Sequence, residues 1–120
     1  MKRSVLGEKS YSFALRIIRL TQYLANEKRE FILGKQILRS GTAIGALVRE
    51  SEFAESRPDF AHKLHIALKE ANETDYWLSL LNDSEFIDDK AYESIKNDCG
   101  ELIALLIASI KTAKKAKNEQ

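Results

Sequence analysis

Apolar residues recur at every third or fourth position along almost the whole chain, which is the spacing that places them on one face of a helix. Three polar stretches interrupt this pattern. The interrupted pattern therefore predicts four helices, over residues of about 8–26, 31–54, 57–81 and 88–117. No run of alternating apolar and polar residues competes with them, so the sequence predicts an all-α protein.

Each interruption has the composition of a short connection or a helix start. Residues 26–30 read NEKRE, and residues 82–88 read NDSEFID, after which Asp88 or Asp89 can cap the fourth helix. Short connections join antiparallel neighbours. We therefore expect a single domain over residues 1–120, folded as an antiparallel up-down-up-down four-helix bundle.

The start of the third helix carries the clearest local signal in the chain. Ser56 can act as the N-cap residue, Pro58 suits the first helical turn, and Asp59 can return a hydrogen bond to the cap residue. The second helix must therefore end before Ser56.

Two glycines of the second helix, Gly41 and Gly45, lie on one side of it because they are four residues apart. A glycine inside a helix costs ~1 kcal/mol relative to alanine. This cost is understandable where another helix approaches closely. We therefore expect close helix packing at Gly41 and Gly45.

Charged residues also lie beside the apolar stripes of the second and third helices. Arg39 and Glu50 share a face of the second helix, and Glu70 and Glu73 lie on a polar line of the third. If the two faces meet, these four residues form a buried polar network, and Arg39→Ala should then cost ~3–5 kcal/mol. The alternative is a solvated charged surface, for which the cost would be near zero.

The fourth helix is apolar around most of its circumference, whereas a surface helix of a monomer shows a single apolar stripe. The surplus residues suggest an oligomer interface made of Leu102, Ile103, Leu105 and Ile107. Identical chains most often assemble with closed symmetry. We therefore expect a cyclic homo-oligomer.

The stretch from Gln36 to Leu78, QILRSGTAIGALVRESEFAESRPDFAHKLHIALKEANETDYWL, resembles the bacterial four-helix-bundle protein family. S23-like members of this family are encoded in intervening sequences of large-subunit ribosomal RNA genes. The resemblance rests on Arg-Ser-Gly at 39–41, on Glu50, and on Ala-Leu-Lys-Glu-Ala at 67–71 with Tyr-Trp-Leu at 76–78. It implies that the chain assembles as a homopentamer.

Composition narrows the classes of function. The formal net charge is +1, so any nucleic-acid binding needs a local basic patch. Cys99 is the only cysteine, which excludes a disulfide framework and fits a reducing compartment. The first ten residues lack the apolar segment of a signal peptide, and the longest apolar run, 102–108, is too short to span a membrane. We therefore expect a cytoplasmic protein without membrane contact.

The sequence signals for catalytic and metal-binding groups are weak. Asp59, His62 and His65 are spaced three residues apart and could hold a divalent metal, but surface or packing histidines are the simpler interpretation. Cys99 lies on an apolar stripe, which indicates a small buried side chain rather than a reactive thiolate. We expect no enzyme activity, no metal and no cofactor.

Basic residues mark the first and last helices, and in a simple bundle these two helices are neighbours. The basic residues of the two helices favour weak RNA or DNA binding that is insensitive to nucleotide sequence. The residues are Lys9, Arg16, Arg19, Lys111, Lys114 and Lys115. The sequence thus favours a non-enzymatic, self-assembling scaffold or accessory that binds nucleic acid weakly. The alternatives are a protein-interaction module without nucleic acid and, less favoured, a metal-dependent enzyme.

Overall fold

Four helices make up almost all of the chain in a computed structural model, which describes residues 4–118 and the side chains of residues 4–115. They are α1 (Val5–Lys28), α2 (Ile32–Ser51), α3 (Arg57–Asp83) and α4 (Asp89–Asn118). Each helix packs against the next one along the chain, so the expected all-α, up-down bundle is confirmed.

Specific capping contacts determine where the helices begin. The Ser4 hydroxyl accepts a hydrogen bond from the Gly7 amide at 2.9 Å, so α1 starts three residues before the predicted Glu8. At α2 no side chain caps from the N-cap position. Instead, the Glu30 carboxylate accepts hydrogen bonds from the amides of residues 32–34, at 3.2, 3.0 and 2.9 Å. A carboxylate there also complements the positive end of the helix dipole.

The α2–α3 connection differs in two details from the prediction. α2 ends at Ser51 rather than at residue 54, because the amides of residues 52–54 bond three residues back instead of four, which tightens the last turn. Ser56 caps α3 as predicted, accepting from the Asp59 amide at 3.2 Å. The Asp59 carboxylate, however, accepts from the amide of Glu55 rather than from that of the cap residue.

The core runs the length of the bundle, which measures 53 × 23 × 22 Å. It contains one apolar stripe from each helix, represented by the fully buried residues Ile17, Ile44, Leu78 and Leu106. A hydrogen bond of 2.9 Å from Thr74 to Ser40 crosses the α2–α3 interface inside this core. Pairing the two hydroxyls spares the core an unsatisfied polar group.

The contact between α1 and α4 is much the smallest of the four helix contacts. Side chains bridge this seam at its edge: Lys9 pairs with Glu101 at 2.7 Å, and Arg16 with Asp98 at 2.7 Å. Arg16 also donates to the Ser94 hydroxyl at 2.6 Å. The two ion pairs show that α1 and α4 are antiparallel. Because Lys9, near the start of α1, lies beside Glu101, the part of α4 after Glu101 continues well past the start of α1.

Within residues 4–118, no helix combines the length and the apolarity that crossing a membrane requires.

Candidate assembly surface and polar sites

Arg39 joins α2 to α3 through two carboxylates. Its Nη1 atom donates to Oε2 of Glu70 at 2.7 Å, and its Nη2 atom donates to Oε2 of Glu73. The same oxygen of Glu73 accepts a hydrogen bond from the indole Nε1 of Trp77 at 3.0 Å. The three charged residues that the sequence brought together on α2 and α3 thus do meet.

The surroundings of this cluster determine its electrostatics. The hydrogen bonds that Arg39 donates to Glu70 and Glu73 raise the pKa of Arg39. The Trp77 indole and, after it, the Arg39 guanidinium lower the pKa of Glu73 against the opposing effect of burial. The Glu73 carboxylate therefore remains ionised at neutral pH and in an ion pair with Arg39, which leaves it poorly suited to proton transfer.

The prediction of a buried network of four residues is wrong in two respects. The Arg39 side chain is 53% exposed, so the cluster lies at the edge of the α2–α3 interface rather than inside it. Glu50 is exposed and far along α2, close to the connection to α3, where it lines a groove instead of joining Arg39. Eleven residues place Arg39 and Glu50 on one face but about 16 Å apart along the helix axis.

Because Arg39 is half exposed, we expect Arg39→Ala to lower the free energy of unfolding by only about 0.5–1 kcal/mol. Urea denaturation followed by circular dichroism measures this loss. Lys35→Ala, one turn earlier on an exposed position of α2, is the control and should change stability less. A loss of several kcal/mol would mean that the ion pairs are shielded from water after all.

Gly41 and Gly45 of α2 face α1, as the expectation of close helix packing requires. A Cβ atom built on Gly41 would lie 2.8 Å from Cγ1 of Ile17, closer than carbon atoms can approach. At Gly45 it would lie 3.3 Å from the backbone oxygen of Ser10. The missing side chains therefore allow the α1 and α2 backbones to come together.

The predicted oligomer interface on α4 is only partly exposed. Leu102 is 1% exposed and belongs to the core, so its assignment to an interface is wrong. Ile103 and Leu105 are half-buried against the core. Ile107 is 39% exposed and remains available. The broad apolar face of α4 mostly serves contacts inside the protomer, with α3 on one side and the core on the other.

Four exposed apolar side chains line a different surface, the groove between α1 and α2. Tyr11, Leu15 and Ile18 of α1 follow one another at helical spacing, and Phe53 closes the groove at the end of α2. Phe53 is 71% exposed. The groove encloses about 1180 Å³ and continues to the start of α3. We call it the α1–α2 groove.

This groove was not among the features predicted from the sequence, although its signal is present there. Tyr11, Leu15 and Ile18 occupy positions i, i+4 and i+7 of α1, beside the core stripe that contains Ile17. Such a second stripe predicts that α1 has two apolar contacts, one in the core and one outside it.

The basic residues do not merge into one patch. Lys9 and Arg16 are engaged with carboxylates of α4, whereas Arg19 is exposed on α1. From the pairing of Lys9 with Glu101, Lys111 lies about 15 Å further along α4, beyond the start of α1. Lys111, Lys114 and Lys115 are all exposed there and form a separate basic end.

The candidate catalytic and metal-binding groups do not come together. Among the described residues, no group of three His, Cys, Asp or Glu side chains could hold a metal ion. His62 and His65 are exposed on α3, and Asp59 contributes its carboxylate to the turn before α3. Cys99 is buried, and its thiol contacts the Ala71 carbonyl oxygen at 3.4 Å.

Burial raises the pKa of the Cys99 thiol to about 12, with a smaller contribution from Asp75. Three pKa units correspond to about a 10³-fold smaller thiolate fraction at neutral pH, and the thiolate is the reactive form. We therefore expect Cys99 of the native protein to react with a chromogenic disulfide reagent at least about 10³-fold more slowly than in denaturant.

The control for this reaction is Asn97→Cys in a Cys99→Ala background, because residue 97 is exposed on α4 and should react rapidly. Equal rates for native and denatured Cys99 would contradict the packing of α4 described here.

Comparisons with known proteins agree with this fold. The family model described as 23S rRNA-intervening sequence protein matches residues 2–108. The chain is also similar to a crystal structure of a protein of unknown function from the S23 ribosomal protein family of Bacteroides thetaiotaomicron VPI-5482. The two share 58% sequence identity over 89% of this chain and 99% of the other, with a TM-score of 0.88. No curated protein matches the chain. The resemblance found in the sequence is confirmed, and the chain belongs to the 23S rRNA-intervening sequence protein family.

Proposed function

We propose that this protein is a non-enzymatic scaffold that assembles with copies of itself into a closed homo-oligomer, with five subunits as the family resemblance implies. The α1–α2 groove carries the proposal, because it exposes Tyr11, Leu15, Ile18 and Phe53 together. Contiguous apolar surface of this kind marks an interaction site on a folded domain. In an oligomer with closed symmetry, every copy buries this surface against a neighbour.

The chemistry of the described residues supports a scaffold rather than a catalyst. The only thiol has a raised pKa and lies in the core. Glu70 and Glu73 are in ion pairs with Arg39, so neither is a free general base. These groups stabilise the bundle. The exposed features, the α1–α2 groove and the basic end of α4, are surfaces that can bind another molecule.

Size-exclusion chromatography coupled to light scattering tests self-assembly directly. We expect a mass of about five times the 13.6 kDa protomer at micromolar concentration. A different closed ring would keep the scaffold and change its subunit number. A single protomer mass even at high concentration would overturn the proposal.

Weak nucleic-acid binding is a second candidate, supported by the basic end of α4. Lys111, Lys114 and Lys115 are exposed, and no carboxylate of the described residues forms an ion pair with them. Lysines in such a cluster contact phosphates without reading sequence.

Fluorescence anisotropy with a labelled RNA of mixed sequence tests this second candidate. Because phosphate contacts weaken as salt rises, the affinity should fall steeply between roughly 50 and 200 mM salt. Lys→Gln changes at the three positions should abolish binding. The control is Lys→Gln at Lys28 and Lys35, which lie outside the basic end. Absence of any salt-sensitive binding would remove this candidate.

A further inference from the structure

The α1–α2 groove has a shape that can accommodate a helix. Its floor consists of small residues, because α1 and α2 approach closely at Gly45. Ala14, Thr42 and Ala46 line it beside this glycine, while Leu15 and Ile18 stand along one wall. A floor of small side chains between larger ones lets another helix come near.

One end of the groove is acidic. Glu50, Glu52 and Glu55 are exposed there, at the end of α2 and in the connection to α3. The groove is also lined at this end by Asp59, and the basic residues are Arg49 and Lys63. Carboxylates therefore outnumber cations at this end, where Phe53 adds one apolar side chain, while the half of the groove around Leu15 and Ile18 has no charged residue in its lining.

The outer face of α4 has the complementary pattern. Gly100, Ala104 and Ile107 follow each other along its exposed side, and the exposed lysines 111, 114 and 115 continue that side toward the end of the helix. Gly100 has open space where a Cβ atom would be, with no atom within 4 Å, so no packing inside the protomer accounts for a glycine there. A small exposed residue fits a surface that a neighbouring chain approaches closely.

We propose that the α1–α2 groove of one copy receives the outer face of α4 of a second copy, as the interface that builds the oligomer. The inference rests on the proposed self-assembly and specifies which surfaces meet. In this arrangement Ile107 lies on the apolar half of the groove, near Ile18 and Thr42, and the lysines of the same helix face the acidic end.

The spacing of the two surfaces agrees. Thr42 and Glu50 are eight residues apart on α2, and Ile107 and Lys115 are eight apart on α4, so each pair spans about 12 Å along its helix. Apolar and charged groups therefore come into register only if the docked α4 runs in the same direction as α2 of the receiving copy. The opposite direction would place lysines over Leu15 and Ile18.

This interface joins two different surfaces, so each copy offers one groove and one α4 face. A contact between unlike surfaces produces a ring when its rotation closes and a filament when it does not. It also occupies Lys111, Lys114 and Lys115, so assembly and nucleic-acid binding compete for the same side chains.

Charge reversal on each surface, alone and together, tests the pairing. One variant carries Glu50→Lys, Glu52→Lys and Glu55→Lys; the other carries Lys111→Glu, Lys114→Glu and Lys115→Glu. All six positions are exposed, so folding should be preserved, and circular dichroism checks this. The matched control carries Glu27→Lys, Asp83→Lys and Glu85→Lys, three exposed positions outside the groove and the α4 face.

Light scattering at equal protein concentration and moderate salt should show the wild type and the control as the same oligomer and each triple variant as a protomer. The chain carrying all six changes should regain the oligomer, because its reversed charges are again complementary. Oligomeric triple variants would show that another surface or occupant is involved and would overturn this interface while leaving self-assembly intact. Triple variants that dissociate without rescue would overturn the pairing of the two surfaces. A monomeric wild type would overturn the proposed function together with it.

Discussion

Replacing Leu102 by alanine is expected to lower the free energy of unfolding by about 2–5 kcal/mol, the range for truncating a buried leucine. Leu102 is 1% exposed and packs in the core with Cys99 and Leu106 on its own helix. The truncation removes apolar contacts and leaves a cavity that the surrounding helices fill only in part. Urea denaturation of the variant and the wild type at equal protein concentration measures the difference.

Ile107→Ala is the matched control, since it removes an apolar side chain of similar size from the same helix at a position that is 39% exposed. It should cost less than about 1 kcal/mol of protomer stability. In the light-scattering experiment Ile107→Ala should weaken assembly, whereas folded Leu102→Ala should assemble normally. The reverse outcome, a stable Leu102→Ala protomer that no longer assembles, would restore Leu102 to an interface.

The assignment of Leu102 shows a limit of reading helices from sequence. α4 carries apolar residues around most of its circumference, and periodicity alone does not tell which of them face the core. Contacts with α3 on one side and with the core on the other use most of that surface. The excess apolar surface of the protomer therefore lies mainly on α1 and α2, where the sequence shows only a short second stripe.

Features that depend on local spacing could be predicted from the sequence. The four helices and the Ser56 cap follow from apolar periodicity and capping chemistry. The glycine pair on one side of α2 indicated a close contact without indicating its partner. The helix ends differ by a few residues because side chains outside the predicted segments, such as Ser4 and Glu30, satisfy the first amides.

Features that depend on which helix faces meet could not be predicted in the same way. The sequence placed Arg39 beside Glu70 and Glu73 but did not show that their meeting point is at a solvent-exposed edge. Similarly, Lys9 and Arg16 look available in the sequence, and only the register of α1 against α4 reveals Glu101 and Asp98 as partners. Burial of a charge depends on crossing geometry, which composition and spacing leave open.

Gly41→Ala is expected to lower the free energy of unfolding by up to about 2 kcal/mol, although alanine is the better helix former. The new Cβ atom would lie 2.8 Å from Cγ1 and 2.9 Å from Cγ2 of Ile17. Ile17 is fully buried, and its β-branched side chain has few alternative rotamers in a helix, so relief requires α1 to move away. Overpacking of this kind costs about 1–3 kcal/mol, and the gain in helix propensity, ~1 kcal/mol, offsets only part of it.

Gly34→Ala provides the control within the same helix. A Cβ atom there would meet its nearest neighbours, Oε2 of Glu30 and Cδ1 of Leu24, at 3.7 and 3.9 Å, which is ordinary van der Waals contact. Gly34→Ala should therefore raise the free energy of unfolding by up to ~1 kcal/mol, so the two alanines shift stability in opposite directions. Equal gains at both positions, measured by urea denaturation, would mean that α1 yields without cost and that Gly41 is not required for the close approach of α1 and α2. Loss at Gly41 alone would instead assign the glycine to the interhelical contact that also forms the floor of the α1–α2 groove.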